Sequence, residues 1–338
     1  MARPSIQPVV WQPPAAPERS RRSASTPPMP TPQVLAVNGV GPEDVVVDER
    51  GRLLTGVADG RILRLSEEGR RIEQVAETGG RPLGIELLGD GRLLVCDAER
   101  GLLAVDPEGG SVEPLVGGRA MAAGRPLRLC NNSAVARDGT VFFTDSSQRF
   151  GVEHFMADLL EHGGTGRLLR RDASGEVTEL LDGLQFANGV ALSADESYVA
   201  VAETGAYRIR RVWLTGPDTG RSEVLTDNLP GIPDNMSTGE DGLIWVALAT
   251  PRSPVLDWSA PRHPLVRKAT WALPPAVLTK FEVRTTWVVA IDGAGAGAIV
   301  RDLQTSAPGY HMVTGVRQHD GKLYLGSLRE RGIAVIDL

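Results

Sequence analysis

Six stretches of the chain turn on Asp-Gly or an equivalent pair, at Gly51, Gly91, Gly139, Glu196, Gly242 and Gly321. Eight residues before those turns stand Glu43, Leu83, Asn131, Asn188, Asp234 and Val313. Four of the six carry a carboxylate or carboxamide, each directly after Pro, Cys or Ala, where a strand entering a core should be apolar. A single Asn or Asp at a strand start commonly caps its own backbone. Four in one register converging on an axis form a ligand set instead. Hard oxygen donors with two negative charges suit Ca²⁺, which takes about 6–8 oxygens at flexible geometry. Zinc would draw His or Cys, and neither occupies this register.

Such convergence requires elements that repeat around an axis. From Gln33 onward the chain restates one phrase, a short β-rich run, a turn and a second β-rich run, as in DERGRLLTGVADGRILRL and QHDGKLYLGSLRERGIAVIDL. The turns are spaced 40, 48, 57, 46 and 79 residues apart. Repeats of that length with several short strands each predict an all-β, six-bladed β-propeller spanning residues 33–338. The first strand of each blade lines the central channel, so the ligand register surrounds one channel end. The last repeat supplies only three strands, and QVLAVNG near the N-terminus is expected to add the fourth and close the ring, which removes sheet edges.

Two long intervals hold insertions. GVEHFMADLLEHG places Phe155, Met156, Leu159 and Leu160 on one helical face and predicts a short helical cap, with His154 and His162 facing solvent. PRSPVLDWSAPRHPLVRKATWALPP, residues 251–275, reads as a second cap broken by prolines, followed by strands in TTWVVAID and GAIVRDL. Residues 1–32 are a Pro-, Ser- and Arg-rich arm without a core-forming pattern of its own.

Composition narrows the partners. A net charge of −6 over 338 residues argues against sequence-independent nucleic-acid binding, which needs a basic surface. No apolar run reaches the length of a membrane helix, and the arm has no apolar segment of the kind a signal peptide carries, so no membrane partner is expected. Cys96 and Cys130 form neither a metal spacing nor a CxxC pair, which fits a reducing compartment and a cytoplasmic location. The expected partner is a small-molecule substrate.

The stretches GPEDVVVDERGRLLTG, NNSAVARDGTVFFTDSS, LLDGLQFANGVALSADESYVAVAET and DNLPGIPDNMS resemble the strictosidine synthase-like family, a branch of the six-bladed propellers that includes gluconolactonases and paraoxonases. The resemblance covers about residues 34–338. It implies a catalytic Ca²⁺ in the channel and hydrolysis of lactones, esters or organophosphates in the metal-binding members. Glu43, Asn131, Asn188 and Asp234 match the family's metal ligands, and Asn235 matches a further ligand of the paraoxonase-like pattern. The departures are specific. Thr314 stands where strictosidine synthase has its channel glutamate, and Leu83 where paraoxonases have a His. Asn131-Asn132 replaces the usual Asn-Asp pair, which weakens the case for a second buried ion shared with Asp44.

The resulting expectation is a Ca²⁺-dependent lactonase or esterase. Asp234 serves as nucleophile or general base, and His311, at the start of the sixth inner strand, as an acid/base candidate. The alternatives are a biosynthetic cyclase or condensing enzyme on the same fold, and a non-catalytic ligand-binding propeller. Arg128 could meet an anionic substrate or a surface carboxylate, while Phe150, Phe155, Phe186 and Trp213 read as packing residues.

Overall fold

A computed structural model of the chain describes residues 3–274, 283–306 and 309–338. The last residue of the second cap segment, Pro275, lies outside them. Six four-stranded antiparallel sheets follow one another along the chain, with inner strands Val45–Val47, Pro82–Leu87, Cys130–Val135, Ala187–Leu192, Gly231–Thr238 and Val313–His319. Each inner strand packs on the next and the sixth packs on the first, so the sheets are blades of a closed ring. The outer strand of the sixth blade is Gln33–Ala36, paired antiparallel with Gly332–Asp337.

The core is divided accordingly. Six apolar clusters each straddle two successive blades, such as Leu54 and Ile62 of the first against Ile85 and Leu93 of the second, or Trp245 and Val288 of the fifth against Val316 and Leu325 of the sixth. Alternating residues feed one wedge or the other, which is why these strands are buried on both faces. The six turn residues all have positive φ, including Glu196 at 57° where the other repeats use Gly.

The caps emerge between the second and third strands of blades three and five. That places them on the face of the ring where the inner strands begin. Helix α1 (Phe155–Glu161) does not present one apolar face. Phe155 and Leu159 pack toward Leu83 and Phe186 of the hub, whereas Ala157 and Leu160 pack with Ile6, Phe150 and Trp271. The helix is therefore a middle layer. His162 and His154 are not solvent-facing: His162 is buried under Trp11, and His154 sits edge-on to Trp271. The second cap forms α2 (Pro254–Ser259), with Ser253 as N-cap, and α3 (Leu265–Ala272).

The arm is laid across both caps. Val9 N–H donates to Glu161 O, Trp11 N–H to Ala260 O, and Arg267 Nη2 donates to Val9 O at 2.6 Å. Among the described residues no helix is long and apolar enough to cross a membrane.

Candidate metal centre at the hub

The inner strands of blades two to six share one irregularity. In each, the pairing with the second strand slips by one residue just after the strand start, as between Cys130↔Asp145 and Ser133↔Phe143 or between Pro233↔Leu248 and Met236↔Val246. Each slip is a β-bulge, a device that re-aims side chains. The first bulge residues are Leu83, Asn131, Asn188, Asp234 and Thr314; Glu43 precedes the first inner strand. In blade six the hub position is thus Thr314, and Val313 points into the blade core. Counting back from the turn misses by one there, because the last hairpin closes with only two residues, Asp320 and Gly321, between His319 and Lys322.

The second bulge residues alternate around the ring: Asp44, Gly84, Asn132, Gly189, Asn235, Gly315. The glycines leave room for their neighbours. A Cβ on Gly84 would lie 2.8 Å from the Asn132 amide, and one on Gly315 2.6 Å from Asp44 Oδ1. Asp44 and Asn132 spend their polar atoms on protein. Asp44 Oδ2 accepts from Ile85 N–H and from Asn132 Nδ2, both at 3.3 Å, and Asn132 Oδ1 accepts from Val190 N–H at 2.8 Å. The two positions a second, buried ion would use are bonded to one another.

Glu43, Asn131, Asn188 and Asn235 are different. Glu43 Oε2, Asn131 Oδ1, Asn188 Oδ1 and both polar atoms of the Asn235 amide are buried without a hydrogen-bond partner. Leaving one such group unpaired costs about 1–3 kcal/mol, so several at one place mark a site that completes its bonding with something else. Charge points the same way. Burial, and next the nearby Asp234, push the Glu43 carboxyl well above its usual range. Burial lifts Asp234 to about 7, although the Asn188 amide and the Asn235 backbone N–H pull it down. Two mutually repelling carboxylates and three amides with unpartnered oxygens fit a hard divalent cation and do not fit zinc. Among the described residues no group of three or more His, Cys, Asp or Glu side chains is placed to hold a metal, so any such site depends on the amides.

The structure brings Glu43, Asn131, Asn188, Asp234 and Asn235 to the start of the inner strands, with Asp234 the half-buried member. His311 lies in the loop just before the sixth inner strand, where Nδ1 pairs with the Glu330 carboxylate and lies 3.2 Å from Arg284 Nη2. Arg81 was missed from sequence. Two residues before Leu83, it is half-buried, donates from Nη1 to Gly41 O at 3.1 Å and places its charge beside Glu43. Arg128 lies near Glu153, with its Nε buried and unpartnered. Over the hub, Val152, Phe155 and Leu159 pack against Leu83, Ala98, Leu129 and Phe186. A small cavity of about 30 Å³ beside Thr204 reaches Trp11, His162 and Tyr207 under the second cap.

Fold and hub together define a six-bladed propeller with an oxygen-donor centre at one channel mouth. Comparison with known proteins places it more closely. Residues 131–217 match the strictosidine synthase family model, and residues 32–65 match that for the strictosidine synthase-like N-terminal region. The chain belongs to the strictosidine synthase-like family. It is 34% identical over 336 residues to the Arabidopsis thaliana protein STRICTOSIDINE SYNTHASE-LIKE 10, covering 91% of this chain and 88% of that one. It is 37% identical over 322 residues to the adipocyte plasma membrane-associated protein of Salmo salar, covering 88% and 76%. Among solved structures, a Xanthomonas campestris gluconolactonase superposes with a TM-score of 0.65 at 18% identity over 99% of both chains. The calcium-binding protein regucalcin of Agrobacterium tumefaciens gives 0.62 at 16% identity over 91% and 94%. At those identities the two structures share the fold.

Proposed function

We propose that this protein is a Ca²⁺-dependent hydrolase of a small lactone or ester. The observation that carries the reading is the set of orphaned oxygens on Glu43, Asn131, Asn188 and Asn235 beside the mutually repelling Glu43 and Asp234. The gluconolactonase and calcium-binding names borne by proteins of the same fold support it.

Glu43, Asn131, Asn188, Asp234 and Asn235 would hold the cation, which when bound supplies a Lewis acid for a substrate carbonyl. Asp234 is the most exposed of the five and so the one best placed to meet a substrate as nucleophile or general base. Arg81 sets a positive charge beside the hub where negative charge develops on the substrate. Val152, Phe155 and Leu159 form an apolar roof that limits water and favours an apolar substrate portion. His311, held by Glu330 and Arg284, is a secondary acid/base candidate. A condensing enzyme is disfavoured by the sixth blade, where Thr314 offers no carboxylate and donates its hydroxyl to Glu43 O at 2.7 Å. The buried free thiols Cys96 and Cys130 suit a cytoplasmic location.

The test is a panel of lactones, aryl esters and phosphotriesters assayed with Ca²⁺ and with chelator. Hydrolysis that chelation abolishes and Asp234→Ala removes is expected; turnover undiminished by both treatments would overturn the reading.

A further inference from the structure

An asparagine can ligate a cation only through Oδ1, so the amide must be held the right way round. A carboxylate has no such need, since both its oxygens accept. The hub meets this requirement twice in the same manner. Asn131 donates from Nδ2 to Ser146 Oγ at 2.8 Å, and Ser146 donates onward to Ala187 O at 2.6 Å. Asn188 donates from Nδ2 to Thr204 Oγ1 at 3.1 Å, and Thr204 donates onward to Pro233 O at 2.8 Å. Each hydroxyl follows the last residue of its blade's second strand, and each receiving carbonyl belongs to the residue just before the next hub side chain, Asn188 or Asp234. Both hydroxyl residues are buried.

In the corresponding place after the second-strand partner of the inner strand, blade two has Ala98 opposite Leu83 and blade five has Ala249 opposite Asp234. The hydroxyl is present in the two blades whose first bulge residue is an amide and absent from these two, whose first bulge residues, Leu83 and Asp234, need no orientation. Simple strand packing has no reason to follow that distribution.

We infer that Ser146 and Thr204 are positioning residues for the cation centre: each turns a hub amide so that Oδ1 faces the channel, and each ties that amide to the backbone carrying the next ligand. The inference rests on the cation reading of the hub. It makes blades three, four and five one connected ligand frame, in which loosening Ser146 disturbs Asn131 directly and the backbone at Asn188 through Ala187.

The experiment is calorimetric titration of Ca²⁺ into the full-length metal-free protein and into Ser146→Ala, Thr204→Val and Thr204→Ser, with the melting temperature of each recorded without metal. Loss of outer hydrogen-bonding partners typically weakens metal affinity about 10–100-fold, and that loss is expected for Ser146→Ala and Thr204→Val. Thr204→Ser keeps the hydroxyl and should bind within about threefold of the parent, which a packing role for the Thr204 methyl would not allow. Wild-type affinity in Ser146→Ala and Thr204→Val overturns the inference while leaving the cation site standing. So does a Thr204→Ser defect equal to that of Thr204→Val. A parent protein that takes up no Ca²⁺ removes both the site and the inference.

Discussion

Trp11 lies flat against His162, with ring centroids 4.1 Å apart and planes 6° from parallel. The contact joins the N-terminal arm to the end of α1, and burial with the nearby Arg267 and Arg208 holds the His162 imidazole down at about 3. The stack is therefore uncharged at neutral pH. With Ile6 buried between α1 and α3, the arm acts as a strap over both caps. Trp11→Ala combined with Ile6→Ala should free residues 3–16 to limited proteolysis and raise KM for hydrolysis. Buried Ile-to-Ala changes cost about 2–5 kcal/mol, but here the loss should fall on the strap. The propeller's main melting transition is expected to stay within a few degrees, and a collapse of that transition would show that the arm is integral to the ring.

Cation binding should be proton-linked. In the metal-free fold Asp234 is lifted from 3.8 to about 7, so the folded protein binds a proton over that interval that the unfolded chain has released. This group therefore destabilises the metal-free fold progressively as pH rises from about 4 toward 7, and the penalty is then fully developed. Ca²⁺ competes with that proton. Its apparent affinity should climb as pH rises toward 7 and level off above, with protons released on binding below 7, measurable by titration in buffers of different ionisation enthalpy. A pH-independent affinity between 5 and 7 would contradict the assignment of Asp234 to the centre.

Arg167 and Asp145 form a wholly buried ion pair at 2.6 Å in blade three, and Asp145 immediately precedes Ser146 in the chain. Asp145 also accepts the N–H groups of Arg128 and Leu129, fixing the approach to Asn131. Arg167→Ala would strand a buried carboxylate, a change that costs about 3–5 kcal/mol. Chemical denaturation should show a loss of that size, together with weaker Ca²⁺ binding; a loss under 1 kcal/mol would mean that water replaces the guanidinium.

Gly189 has no space for a side chain, since a Cβ would lie 2.4 Å from Asp234 O and 2.6 Å from Met236 N. Gly189→Ala should push apart the inner strands of blades four and five where Asn188 and Asp234 meet. Overpacking costs about 1–3 kcal/mol, and Ca²⁺ affinity should fall more than the melting temperature suggests. Gly51→Ala, at a turn open to solvent though of positive φ, is the control that should spare the hub.

The repeat and most of the hub were legible because both are local. A turn that needs positive φ selects Gly at five of six positions, and a strand start that must carry oxygen cannot hide it among apolar residues. The same counting failed at Thr314, since it assumed hairpins of equal length and the last one is shorter. His162 was misread because its environment comes from Trp11, far away in the chain.

The sequence alone determined the number of blades, which follows from the period, and set oxygen-bearing side chains at four of the six strand starts, which follows from residue type. Tertiary structure decided which polar atoms remain free. Asp44 and Asn132 carry the same kinds of group as Glu43 and Asn131, yet they bond one another across the gap left by Gly84, while Asn131 and Asn188 donate from Nδ2 to Ser146 and Thr204 and leave their oxygens unspent. Whether a buried oxygen is satisfied depends on neighbours from other blades, a distance that no local pattern encodes.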